Sequence, residues 1–167
     1  MTRYFSHRVI NRLRDCSGAN LMEAALVLPL LLLLTISIAD FGTLFYVHLA
    51  IENGVSQATR YAVTGNLVDD PANPGSKLSR EDSIKTIMRQ ATPNLTITDS
   101  DVTFTHCTPT GTTCPWTSGS GGPGDIGKVE VGHSWKFMNP LLRPFFPPYG
   151  QITLTAASAM KNESLFK

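Results

Sequence analysis

"CSGANLMEAALVLPLLLLLTISIAD", residues 16–40, decides the fold. From Ala24 to Ala39 it carries no charge, and Leu30 to Leu34 are five consecutive leucines. As a helix that uncharged run covers only about 24 Å, short of a hydrocarbon core of about 30 Å. Taken from Ala19 to Asp40, the stretch reaches about 33 Å and suffices to cross. The composition therefore predicts a transmembrane helix over 19–40, with Glu23 just inside one boundary and Asp40 at the other. A buried helix of a water-soluble core would need polar relief that the leucine run does not offer. Pro29 removes one backbone hydrogen bond, which membrane helices tolerate better than soluble ones.

Charge on either side of this segment sets an orientation. The chain has 167 residues and a formal net charge of +1. Residues 1–18 carry Arg3, Arg8, Arg12 and Arg14 against Asp15 alone, which leaves the remainder slightly acidic. A basic end before an apolar span predicts a cytoplasmic N-terminus and an exported remainder. No basic patch with interleaved aromatics follows, so the pattern argues against nucleic-acid binding.

A cleaved secretory signal is the competing reading, since Ser37-Ile38-Ala39 offers small residues at a peptidase-like spacing. The region before the apolar core is too long for it and contains Glu23. Beyond Asp40, moreover, Phe41, Leu44, His48, Ile51, Val55, Ala58 and Ala62 recur at alternating spacings of three and four. That is the seam of a helix continuing outward and packing on a following domain. Within it, His48 reads as a packed residue, having no second metal ligand one turn away. Gly65 is a favourable C-terminal cap, so one helix of about 45 residues is expected.

A basic leader, Gly18, Glu23 as the fifth residue after it and then an apolar helix resemble the prepilin-peptidase site of type IV pilin-like proteins. "ALVLPLLLLL" (25–34), "DFG" (40–42) and "ATRYAVTG" (58–65) narrow the resemblance to the TadE-like pseudopilins of tight-adherence (Tad, or Flp) pili. Toward the C-terminus, "VEVGHSWKF", "NPLL" and "LTAASAMKNE" are similar to that family's closing strands. An aromatic residue commonly follows the glutamate in this family; here it is Ala24.

The resemblance implies cleavage after Gly18 by a membrane peptidase on the cytoplasmic side, leaving Ala19 as the new N-terminus. It also implies an assembly and recognition role for Glu23. A charge at the centre of a membrane helix costs about 2.5–3.5 kcal/mol on insertion scales, less near the boundary. Pairing with the freed amine, its own or a neighbour's, would offset part of that cost. The implied partners are the bacterial inner membrane, a prepilin peptidase, other pilin-like subunits and the pilus secretion machinery.

Past Gly65 the chain changes character. "NLVDDPANPGSK" reads as a turn-rich linker. Ser79 reads as the N-cap of a helix in "SREDSIKTIMRQA", with acids in its first turn, Ile84, Ile87 and Met88 on one face, and Pro93 as its stop. "DVTFTHC" (101–107), "KVEVGHSWKF" (128–137) and "QITLTAASAM" (151–160) read as strands. "PLLRPFFPPYG" excludes a strand. The fold class is therefore α+β: a long N-terminal helix with a small antiparallel sheet of three or four strands packed on its outer half. The domains expected are a cleaved basic leader (1–18), a transmembrane helix (19–40), its periplasmic extension (41–65) and a periplasmic domain (66–167).

Cys107 and Cys114 bracket a short loop, and in an exported, oxidising compartment they read as a disulfide. Closing that loop would contribute about 2.5 kcal/mol. Cys16 lies in the leader and would be removed with it. Zinc is not expected, since His106 alone stands near the pair. "GPGDIGK" (122–128) matches phosphate-loop spacings, but a Ser/Gly run precedes it and a strand pattern follows, so it reads as a flexible loop. No nucleophile is paired with a base, and no enzyme activity, cofactor, metal or small-molecule substrate is expected. The reading that results is a single-pass pilin-like minor subunit or assembly factor for an adhesion pilus. The alternative is a secreted or membrane-anchored periplasmic binding module without a pilus role.

Overall fold

The computed structural model describes residues 17–110, 113–147 and 150–164. Helix α1 runs unbroken over Ser17–Val63, 47 residues with Pro29 inside it. Its contacts divide the chain after Asp40 into two units.

Among the described residues of the first unit no large apolar side chain is buried. Leu26 is 76% exposed and Leu32 51%. None of its most apolar stretch is buried in protein. Thr35 Oγ1 and Ser37 Oγ donate to the carbonyls of Leu31 and Leu33 at 2.8 and 2.7 Å. Polar side chains thus close back on their own backbone, as a segment without water requires. A helix apolar on every side, with none of its most apolar stretch buried among the described residues, suggests a single-pass membrane anchor.

The second unit, from Phe41 on, holds the core. Ile51, Val55, Ala58 and Ala62 are buried as the seam predicts, and Leu44 packs against them. The buried stripe is wider than the seam, taking in Val47, Gly54 and Thr59. His48 is half-buried, its Nε2 3.4 Å from Glu52 Oε1. A side chain on Gly54 would meet Thr92 Cγ2 at 2.6 Å, so glycine lets the second helix cross closely there. Gly65 ends α1 at a φ of 67°, a left-handed conformation that glycine takes without steric cost.

Residues 66–78 are tighter than a free linker. Asp69 and Lys77 form an isolated β-bridge, and their side chains pair at 3.0 Å. Helix α2, Arg80–Ala91, then starts as expected: the Ser79 hydroxyl accepts from the Asp82 N–H at 3.1 Å. Ile84 and Met88 turn into the core, and the helix stops before Pro93.

Four strands follow: β1 (Val102–Cys107), β2 (Trp116–Ser118), β3 (Ile126–Lys136) and β4 (Gln151–Lys161). They form one antiparallel sheet in the order β2-β1-β3-β4. The inward residues Val102, Phe104, Val129, Val131 and Leu154 close on Ile51, Val55, Ile84 and Met88. This is the α+β arrangement expected. The short exposed strand β2 adds the fourth member, and β3 begins at Ile126, two residues before its sequence pattern does.

Candidate functional site: the N-terminal turn of the long helix

Gly18, Ala19 and Glu23 lie at the start of α1, and all three are exposed. A Cβ added to Gly18 would meet nothing within 4 Å, so the glycine is not demanded by packing. Glycine in a helix costs about 0.5–1 kcal/mol relative to alanine. Gly18 therefore sits where unwinding into an extended strand is cheapest. Ala19 and Glu23 are four residues apart, which places them on one face, a turn apart. The leader, Cys16 included, lies outside the described residues.

A second constellation lies in the second unit. Cys107, the last residue of β1, is bonded to Cys114, with Cα atoms 5.4 Å apart. The structure thus joins the two cysteines that the sequence pairs. Their loop is pinched by paired hydrogen bonds between Thr110 and Thr113 of 3.2 and 3.3 Å. Next to it, residues 119–125 are fastened rather than free. Asn162 Nδ2 donates to the Gly122 carbonyl at 2.9 Å, and the Asn162 N–H donates to the Asp125 carbonyl at 2.7 Å. Arg80 bridges the carbonyls of Gly121 and Ala62, tying this loop to the end of α1. The Gly122 N–H, and next the Thr108 hydroxyl, hold the Asp125 carboxyl below its ordinary range. The flexible loop read in "GPGDIGK" is corrected by these bonds. Its partners lie about forty residues away in the chain, where no local pattern reveals them. A strand, not a helix, follows the glycines, which is the wrong context for a phosphate cradle.

A groove of about 330 Å³ opens between Glu52, Val55 and Ser56 of α1 and Thr155–Ser158 of β4. Glu52, which pairs with His48, is the one carboxylate among its lining residues and faces hydroxyls and methyl groups. Among the described residues no group of three or more His, Cys, Asp or Glu stands together to hold a metal.

The family model of the TadE-like proteins matches residues 18–60, the segment that runs from Gly18 through Glu23 and the apolar span to the core-facing half of α1. It agrees with the resemblance read from the sequence and suggests a role in Tad pilus systems. Nothing matches the chain among curated proteins or solved structures.

Proposed function

We propose, with the match of residues 18–60 to the TadE-like family as the premise, that this chain is a pilin-like minor subunit or assembly factor of an adhesion pilus. Its role is structural rather than catalytic. A prepilin peptidase cuts it between Gly18 and Ala19, the basic leader stays in the cytoplasm, and residues 41–167 face the periplasm. The observation that carries the reading is one continuous helix. It begins with an unpacked glycine, presents Glu23 on the face of Ala19, and runs uncovered and apolar to Asp40.

Each part has a physical reason. Gly18 lets the backbone open into a protease cleft without a side chain in the way. The cut converts the Ala19 nitrogen into a cation one turn before the Glu23 carboxylate. A carboxylate also gains from the positive end of the helix dipole, by about 0.3–1 kcal/mol at an exposed site. In lipid the attraction is larger, because the dielectric is lower. The same carboxylate can reach the amine of a neighbouring subunit and so fix the axial register of packed helices.

The Glu23→Gln variant tests this. The amide keeps size and hydrogen bonding but loses charge, so the protein should be cut and inserted yet fail to associate. Crosslinking of pilin-like subunits in membranes, compared between wild type and variant, reads the outcome. Unchanged crosslinking of a fully processed variant would remove the assembly role of the carboxylate.

A further inference from the structure

Between β3 and β4 the chain leaves the sheet, and the excursion has two unlike sides. On its inner side Phe137 is buried. That ring meets Phe41 edge-on, centroids 5.7 Å apart, and stacks on Phe146 at 4.3 Å. The backbone is closed as firmly: the Phe137 N–H donates to the Gly150 carbonyl at 3.1 Å, and the Gly150 N–H donates to the Phe146 carbonyl at 2.8 Å. Arg143 Nε adds a bond to the Phe137 carbonyl at 3.1 Å. The outer side is the reverse. Met138 is 72% exposed, Leu141 59% and Phe145 77%. A braced loop thus holds three large apolar side chains away from the core, where water charges about 25 cal/mol for each square ångström of apolar surface.

Position and charge say what covers them. Phe41, to which the loop is braced, is the residue directly after Asp40, where the apolar span of α1 ends. The loop is therefore braced to the residue that directly follows the apolar span in the chain. From Val131 to Asn162 there is no aspartate or glutamate, while Lys136, Arg143 and Lys161 are basic. Nearby on α1, Phe45 and Tyr46 are exposed as well. Asp40, beside Phe41, is buried, so the loop presents apolar and aromatic side chains with basic residues and no acidic ones in its own sequence, which suits the boundary between lipid headgroups and acyl chains.

We propose that this loop is a second membrane contact, with Met138, Leu141 and Phe145 inserted into the headgroup–acyl boundary where α1 emerges. The inference rests on the membrane-anchor reading of α1 and goes beyond it. A single helix leaves its outer domain free to swivel; a second contact point restrains that rotation.

The test uses the full chain carrying Cys16→Ser, in nanodiscs of phosphatidylethanolamine and phosphatidylglycerol. The bonded Cys107 and Cys114 do not label, so an environment-sensitive fluorophore can be attached at Phe145→Cys, and in a parallel sample at Leu30→Cys within the span. Lipids carrying a nitroxide near the headgroup should cause a large loss of emission at position 145, while iodide in the buffer leaves it unchanged. Quenching by iodide and not by the lipid nitroxide would overturn the proposal. Protection from both would overturn it in favour of a second copy of the chain covering the loop. The Leu30→Cys sample, with lipids labelled deep in the acyl chain, separates the two levels. A quenched span with an unquenched loop defeats only this inference, whereas an unquenched span defeats the membrane reading beneath it.

Discussion

Up to Asp40, helix α1 shows its large apolar side chains on every side; from Val47 on it buries a stripe of them, although Phe45, Tyr46 and Leu49 stay exposed. Leu26 and Leu31 are more than half exposed, while Ile51 and Val55 are 1% exposed, although all four are aliphatic residues of one helix. The difference teaches that hydrophobicity alone does not choose the solvent of a helix; the angular distribution does. An all-round apolar surface calls for lipid, whereas a buried apolar stripe calls for a protein core.

The largest expected effect separates those halves. Ile51→Ala should cost the outer domain about 2–5 kcal/mol, because it leaves a cavity between α1, α2 and the sheet. Leu31→Ala removes a side chain that touches no core and should leave the domain's stability unchanged. Hydrogen exchange of the β3 amides in the reconstituted full chain measures both. Equal loss of protection in the two variants would erase the distinction between the halves.

How far the sequence discloses the fold follows the same division between local and distant causes. The span, the Gly65 cap, the Ser79 cap and the three long strands rest on residues within a few positions of one another. All are legible. What is not legible depends on contacts across the chain. Strand β2 is three exposed residues without alternation, fixed by pairing with β1. The close crossing at Gly54 requires knowing that Thr92 arrives there. Phe41, read as the start of the packed seam, is only partly covered, since its ring meets Phe137 rather than the aliphatic core. Of the candidate site, Gly18, Ala19 and Glu23 are legible because the motif is a spacing. The brace between Phe41, Phe137 and Phe146 is not, because it joins segments nearly a hundred residues apart.

A smaller effect concerns the disulfide of the outer domain. Cys107→Ser with Cys114→Ser should lower stability by about 2.5 kcal/mol, without disturbing insertion of residues 19–40. Denaturant unfolding followed by tryptophan emission gives the first quantity, and membrane fractionation the second. Thiol labelling of exported protein under non-reducing conditions should modify neither cysteine. Two reactive thiols there would contradict the bond and the periplasmic placement together.

The smallest effect is acid sensitivity, and it belongs to the outer domain alone. Three aspartates on its surface are held below their ordinary range. Asp99 is lowered first by a hydrogen bond from Arg89 and then by the charge of Lys85. Asp70 is lowered by the Asn73 side chain and the Ala72 N–H, and Asp125 by the Gly122 N–H. A depressed folded-state pKa means that the charged form favours folding. The contribution is thus complete above the unfolded value of about 3.9 and is lost as pH falls through the folded values. Unfolding midpoints should be flat near neutrality and decline below about pH 4, with a shallower decline in Asp125→Asn. A decline that begins near neutral pH would point to histidines instead.

The central claim is that α1 begins, in the working protein, at Ala19. Intact mass of the protein purified from its native membrane tests it most directly. The account predicts the mass of residues 19–167 for wild type and of the full chain for Gly18→Leu, which should still insert. A mature chain starting at Asp40 would identify a secretory signal, an uncut wild type would identify a plain anchor, and either result would contradict the account.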